Sequence, residues 1–315
     1  MTLIDTPTAW LFPGQGSQKT GMGLALAQAY PQAAAVFRQA DDILGYALSN
    51  ICWHEPQDVL NETLHTQPAL LTHSVAVLRV LEQQIPSFKP QMVAGHSLGE
   101  ISALVAAGAL AFEDAVRLVQ VRAESMQYAG EVHPGGMSAI LGLPLELVET
   151  ACEAASQAVE GSVWVANDNC PGQVVISGDD DALEDVQPRL QEAGARRVLR
   201  LAVSIAAHSP LMAPAQERFN AAVATAPFQA PAIGVIGNVT GSPLLSIEAI
   251  AQDLRAQLGS RVRWTESIQR MGEAGIQTFF EIGSGSVLVG LLRRILPEAQ
   301  GISLDSPETI QTLVR

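Results

Sequence analysis

Short apolar runs alternate with longer amphipathic stretches along most of the chain, the pattern of an α/β fold. Ala9 to Phe12 reads as a first strand, and Gly21 to Tyr30 as a short helix after a glycine-bearing turn. From Gln67 to Gln84, residues Leu70, Leu71, Ser74, Val75, Leu78 and Leu81 recur at three- and four-residue spacing. That spacing predicts a helix, which Pro86 and Pro90 close. Gln91 to Gly95 reads as a short buried strand. Leu98 to Ala109 is helical again, with Ile101, Leu104 and Val105 on one face.

The rhythm changes between residues 135 and 202. Met137–Leu141, Val163–Ala166, Gln173–Gly178 and Arg197–Val203 read as strands, and Leu145–Gln157 and Asp180–Ala193 as helices. The order β-α-β-β-α-β predicts a small ferredoxin-like subdomain. The expected division is a catalytic core of residues 1–134 and 203–315, with 135–202 inserted into it. Beyond the insert, Ile233–Asn238 and Thr278–Ile282 read as strands. Ile247–Leu258 and Val287–Ile295 read as helices.

Composition narrows the class. The chain has 315 residues, 48% hydrophobic and 16% charged, with a net charge of −14. Length and apolar content suit a globular enzyme. The negative balance argues against nucleic acid, since nothing is gained by counterion release, and against an anionic membrane surface. An anionic substrate needs a local basic site. Cys52, Cys152 and Cys170 form no CxxC pair and no metal-ligand cluster, so three reduced thiols are expected. The N-terminal MTLIDTPTAWLF carries Asp5 and no Lys or Arg, unlike a signal peptide. The longest apolar stretch, Ile101 to Phe112, falls short of the roughly 20 residues that span a bilayer. A cytoplasmic protein is expected, and a monomer, since no apolar helix demands a partner.

The candidate chemistry begins at Gly95-His96-Ser97-Leu98-Gly99, a G-x-S-x-G pattern between a strand and an apolar helix. In a nucleophile elbow the flanking glycines avoid clashes and the serine hydroxyl stands exposed at a helix N-terminus. The plain alternative is a glycine-flanked turn with a serine cap. The strand–Ser97–helix order favours a hydrolase-like core with a mainly parallel sheet. A serine needs a base. Of six histidines, His54, His65 and His133 lie in polar, loop-like surroundings, His73 in a helix, and His96 beside the serine where neighbours at an elbow point apart. His208 follows a predicted strand, where α/β enzymes place chemistry. Spacing leaves the orienting acid open: Asp179, Asp180, Asp181, Glu184 and Asp185 fit a Ser…Asp…His order, but equally start a solvated helix. Arg122, at the end of an apolar helical stretch, can bind a carboxylate bidentately or be an ordinary surface arginine.

Together these residues resemble the malonyl-CoA:acyl carrier protein transacylase family. Phe12-Pro13-Gly14-Gln15-Gly16-Ser17-Gln18 is similar to its N-terminal oxyanion loop, Thr66-Gln67-Pro68-Ala69 to its second glutamine motif, and Gly95 to Glu100 to its elbow. Arg122 to Gln127, Asn167 to Gly178, His208 to Met212, Asn238-Val239-Thr240, Gln257-Leu258 with Val262-Arg263-Trp264, and Glu281-Ile282-Gly283 follow in family order. Two stretches depart from it. Ile205-Ala206-Ala207-His208 stands where the family carries bulkier or proline-containing residues. Gly283-Ser284-Gly285-Ser286 stands where G-P-G-K is commoner.

The resemblance implies that Ser97 carries the acyl group, that His208 is the base, and that the main-chain carbonyl of Gln257 orients it. It implies an oxyanion hole from the N–H groups of Gln15 and Leu98. Arg122 would pair with the malonyl carboxylate, while Gln67, His96 and Asn167 bind the substrate. The implied reaction is ping-pong malonyl transfer from malonyl-CoA to the phosphopantetheine thiol of acyl carrier protein, in fatty-acid biosynthesis, without metal or redox cofactor. Alternatives on the same scaffold are a trans-acting polyketide acyltransferase and an acyl hydrolase. A carrier-binding module without catalysis is a third reading, disfavoured by the joint presence of Ser97, His208 and Arg122. An acidic carrier needs positive charge near the cleft; Lys19, Arg196, Arg197, Arg261, Arg263, Arg293 and Arg294 are candidates.

Overall fold

The computed structural model describes residues 7–314; Asp5 and the first part of the N-terminal segment lie outside them. The strand β1 (Thr8–Phe12) is buried at every position, as a strand covered on both faces must be. Five helices follow: α1 (Leu24–Ala29), α2 (Pro31–Leu44), α3 (Leu48–His54), α4 (Gln57–Asn61) and α5 (Thr63–Gln84). The first is shorter than expected because Gly21 and Gly23 hold φ of 89° and 80°, outside helical space. Helix α5 starts earlier than the apolar spacing predicts and tolerates Pro68 inside it. The Leu64 carbonyl that Pro68 cannot serve sits 3.5 Å from the Tyr46 hydroxyl.

Then come β2 (Met92–Gly95), α6 (Gly99–Ala106) and α7 (Phe112–Val132). Gly108, at φ 69°, separates the two helices, so the long apolar stretch from Ile101 is two elements rather than one. The next segment holds β3 (Gly136–Leu141), α8 (Leu145–Ala158), β4 (Val163–Cys170), β5 (Gln173–Gly178), α9 (Asp180–Glu192) and β6 (Arg197–Arg200). The chain closes with α10 (Ala213–Thr225), β7 (Gly234–Ile236), β8 (Pro243–Leu244), α11 (Ile247–Gln257), β9 (Val262–Arg263), α12 (Trp264–Glu273), β10 (Thr278–Ile282), α13 (Val287–Ile295), β11 (Gln300–Leu304) and α14 (Pro307–Val314).

Two mixed sheets organise the α/β fold. The larger runs β11-β10-β1-β2-β7-β8. Its pairs are parallel until β7 meets β8, which runs antiparallel. The expected mainly parallel sheet is therefore corrected to a mixed one: the two-residue β8 returns from β7 through a turn short enough only for an antiparallel partner. The smaller sheet runs β6-β3-β5-β4-β9, with antiparallel pairs except β4–β9. That parallel pair sets Asn167 opposite Val262 and Asp168 opposite Arg263, tying the segment to the rest of the chain. A separate apolar cluster, including Ile140, Val148, Ile176, Leu183 and Val186, fills the space between this sheet and α8 and α9.

Strand β6 stops at Arg200, short of the expected Val203. After Leu201 donates to the Met137 carbonyl at 2.9 Å, the chain leaves the ladder and runs to Ile205 along a cavity wall. Departure from the sheet is what delivers His208.

Candidate active site

Ser97 lies between β2 and α6, at the edge of a cavity of about 560 Å³. Its φ of 52° is left-handed, a conformation that costs a non-glycine residue about 1–2 kcal/mol. The elbow needs its glycines. A Cβ on Gly95 would collide with the Gly99 backbone, and one on Gly99 with the Phe12 carbonyl. Asn238, after β7, clamps the turn: its Oδ1 accepts from the Ser97 N–H at 2.7 Å, and its Nδ2 donates to the Gly95 carbonyl at 2.7 Å.

His208 is the other left-handed non-glycine residue among those described, at φ 60°. Its Nε2 is 2.8 Å from Ser97 Oγ. Its Nδ1 faces two carbonyls, Gln257 at 2.9 Å and Ser260 at 3.2 Å. Carbonyls only accept, so the proton sits on Nδ1 and Nε2 is free to accept the serine proton. The acids Asp179 to Asp185 lie at the start of α9, and Asp180 pairs with Arg200; none orients the histidine.

Arg122 projects from α7 into the floor of the site and is 1% exposed. Nη1 donates to Gln67 Oε1 at 2.7 Å and Nη2 to Gln257 Oε1 at 2.9 Å. Nη2 also reaches Ser97 Oγ at 3.0 Å. Met126, one turn on, receives Arg122 Nη1 at 3.3 Å and Gln67 Nε2 at 3.2 Å on its sulfur. These partners are neutral, so no hydrogen-bond partner of the buried guanidinium carries an opposite charge.

Gln15 and Leu98 line the same cavity. Among the described residues neither main-chain N–H has a hydrogen-bond acceptor. His96 turns away from the serine: its Nε2 is 2.8 Å from Asn169 Oδ1, and its ring lies 5.4 Å from that of Trp264. Asn167, on β4, lines the cavity beside Asn169. Ala207 borders the cavity and Ala206 does not.

Elsewhere the histidines play other parts. His65 is within α5 rather than a loop, and His73 is buried with Nε2 3.1 Å from the Asp305 carbonyl. Sequence reasoning gave no role to Asn238, Met126, Asn169 or Glu100. All four stand within motifs of the family resemblance, but nothing in their spacing says what they touch. Of the proposed docking cations, Lys19 pairs with Asp305 at 3.0 Å, Arg261 with Glu149 at 2.5 Å and Arg263 with Glu266 at 2.7 Å. Among the described residues no group of three or more His, Cys, Asp or Glu could hold a metal ion, and no helix is long and apolar enough to cross a membrane.

The acyl transferase domain family matches residues 9–307, a span holding the elbow, the histidine and the buried arginine. The chain belongs to that family. This acyltransferase is 45% identical over 298 residues to the malonyl CoA-acyl carrier protein transacylase of Haemophilus influenzae, covering 94% of this chain and 95% of that one. The structure of the malonyl CoA-acyl carrier protein transacylase of Coxiella burnetii superposes with a TM-score of 0.95 at 40% identity, covering 100% of this chain and 98% of that one. A malonyl-transacylase in complex with its type II PKS acyl-carrier protein superposes with a TM-score of 0.93 at 40% identity, covering 98% and 99%.

Electrostatics in the acyltransferase site follow from burial. Burial, with the Arg122 charge as the next cause, pushes His208 down to about 3, so the imidazole is neutral at pH 7 and able to accept a proton. Burial lowers Arg122 to about 10; the guanidinium stays charged. Burial also lowers His96, against the Asn169 hydrogen bond, which makes it a neutral donor to that amide.

Proposed function

We propose that this acyltransferase moves a malonyl group from malonyl-CoA to the phosphopantetheine thiol of acyl carrier protein through a malonyl-Ser97 ester. The observation that carries the reading is Arg122. It is a buried cation held by neutral partners, with Nη2 3.0 Å from the hydroxyl that takes the acyl group. A malonyl carboxylate lies two carbon–carbon bonds from the ester carbonyl, so it falls within that reach. An acyl group lacking it leaves the guanidinium buried and unpaired, which is costly.

The steps follow from the geometry. His208 Nε2 takes the Ser97 proton as Oγ attacks the thioester carbonyl, and the oxyanion forms at the Gln15 and Leu98 N–H groups. The Gln257 carbonyl holds Nδ1–H and supports the imidazolium without adding a charge to the site. Collapse breaks the C–S bond, and the imidazolium returns its proton to the departing CoA sulfur. The carrier thiol then gives its proton to His208 and attacks the ester, and Ser97 Oγ recovers the proton as it leaves. Gln67 and Gln257 hold the guanidinium for the carboxylate, and His96 and Asn167 line the acyl side. No step calls for a metal or redox cofactor, and the proposed substrates fit a cytoplasmic enzyme.

Residues 135–202 act, in this reading, as an inserted ferredoxin-like subdomain on a core of 1–134 and 203–315. The strand order β6-β3-β5-β4 and the separate apolar cluster support it. Its strand β4 supplies the cavity wall opposite the elbow. Fatty-acid synthesis and polyketide synthesis both fit the reading, since the chain spans 95% of the Haemophilus influenzae transacylase and 99% of the malonyl-transacylase solved with a type II PKS carrier protein.

Incubation with malonyl-CoA followed by intact-mass measurement tests the reading. A malonyl adduct that is absent in Ser97→Ala and is discharged by holo-acyl carrier protein supports it. An adduct discharged equally fast by water makes the protein a hydrolase, and no adduct with no CoA release sinks both.

A further inference from the structure

Gln257 is the hub of the site. Its carbonyl holds His208, its Oε1 accepts from Arg122 at 2.9 Å, and its Nε2 donates to the Ser97 carbonyl at 3.1 Å and to Glu100 Oε2 at 2.6 Å. A side-chain amide can turn over, exchanging oxygen and nitrogen. Arg122 only donates, so Oε1 must face it; what fixes Nε2 on the other side is an acceptor, and Glu100 supplies one.

Glu100 is fully buried in the first turn of α6, three residues from the nucleophile. Its second oxygen, Oε1, has no donor among the described residues. An ionised carboxylate would leave that buried oxygen without a donor, whereas a protonated one turns it into a donor. The charged neighbour it answers to is Asp253 on α11, itself 5% exposed, whose carboxylate pushes the Glu100 carboxyl up. Asp253 accepts from the Val239 N–H at 3.3 Å and 3.4 Å, which favours keeping the charge there. The groups facing Glu100 are Asp253 and the Gln257 amide from α11, Arg122 from α7, and the Asn238 main chain after β7.

We infer that Glu100 is a neutral positioning residue that shares its proton with Asp253 and, through Gln257, fixes both the base and the carboxylate-reading guanidinium. The charge count shows why neutrality matters. With Arg122 and Asp253 charged the cluster sums to zero, and one incoming carboxylate takes it to −1; an ionised Glu100 would take it to −2 in a buried site. Burial and the Asp253 charge both push the Glu100 carboxyl well above its usual value, against the hydrogen bonds of the Gln257 amide and the Asn238 main chain. The role in transfer rests on the proposed malonyl reading, but the protonation state does not.

Infrared difference spectra of the wild type against Glu100→Gln at neutral pH test the inference without substrate. The expected result is the carbonyl stretch of a protonated carboxylic acid in the wild type that the variant lacks. A difference showing only carboxylate bands overturns it. Where Glu100→Gln does not fold, Asp253→Asn is read instead: loss of the proton-sharing partner shifts the same acid band, and an unshifted band overturns the inference. In Ser97 acylation, Glu100→Gln, which still accepts from Gln257 and donates to Asp253, is expected to restore most of the rate that Glu100→Ala loses, a loss of about 10-fold or more in kcat/KM. Equal losses in both variants overturn the positioning role. An acid band together with a wild type that takes no malonyl adduct would sink the malonyl reading alone.

Discussion

The floor and the rim of the acyl cavity are built on opposite plans. The floor is polar and closed: Arg122, Gln67 and Gln257 are buried, and Arg122 donates to Gln67 at 2.7 Å and to Gln257 at 2.9 Å. One side of the rim is apolar and open: Val203 and Ile205 line it from the segment after β6, and Val287, 47% exposed, from the start of α13. A buried, prepositioned cation discriminates strongly, because the wrong ligand leaves it unpaired. An apolar wall discriminates weakly, by about 0.8 kcal/mol per methylene. In the proposed reading the floor therefore chooses the acyl group, while the rim covers the rest of the substrate.

The sharpest way to break this comparison is at the nucleophile. Ser97→Ala should abolish the malonyl adduct and reduce transfer by about 1,000-fold or more, read by intact mass and a carrier-protein transfer assay. Next comes the floor. Arg122→Ala should lower malonyl kcat/KM by about 100-fold, the scale of truncating one partner of a buried charged pair. The rim should respond least. Ile205→Val should change kcat/KM by at most about 4-fold for malonyl and acetyl alike, and a loss as large as that of Arg122→Ala would erase the distinction.

A pH prediction sits between these in size. His208 acts when neutral and is depressed to about 3 in the empty site, partly by Arg122. The acid limb of kcat/KM for acylation should thus fall well below the ordinary histidine value. A carboxylate paired with Arg122 offsets the repulsion, so the acid limb of carrier transfer from malonyl-Ser97 should lie higher. For stability, the unfolded histidine binds a proton below about 6.5 and the folded one does not until about 3. The unfolded state then holds more protons, and stability should fall as pH drops through that window, measurable by denaturant melts.

Legibility in the sequence divides along similar lines. The elbow was readable because its glycines are steric necessities, and β1 and β5 because their apolar runs are continuous. The segment ending at His208 was not: Arg197 to Val203 looks like one strand, yet it leaves the ladder at Arg200, since a ladder's end is set by its partner β3 rather than by its own residues. The β8 edge, two residues long, carries no periodic signal, and so the mixed character of the large sheet was invisible. Gln257 as orienter came only through family resemblance, because a main-chain carbonyl has no side-chain signature. Glu100 and Asp253 look like ordinary helix acids until burial places them together beneath Ser97.

The most direct test of the account is the ratio of malonyl to acetyl adduct on Ser97 when both CoA esters compete, in the wild type and in Arg122→Ala. The account predicts a large malonyl preference in the wild type that collapses toward parity in the variant, with acetyl uptake rising. An unchanged ratio would contradict it, because the guanidinium beneath Ser97 would then not be what reads the acyl group.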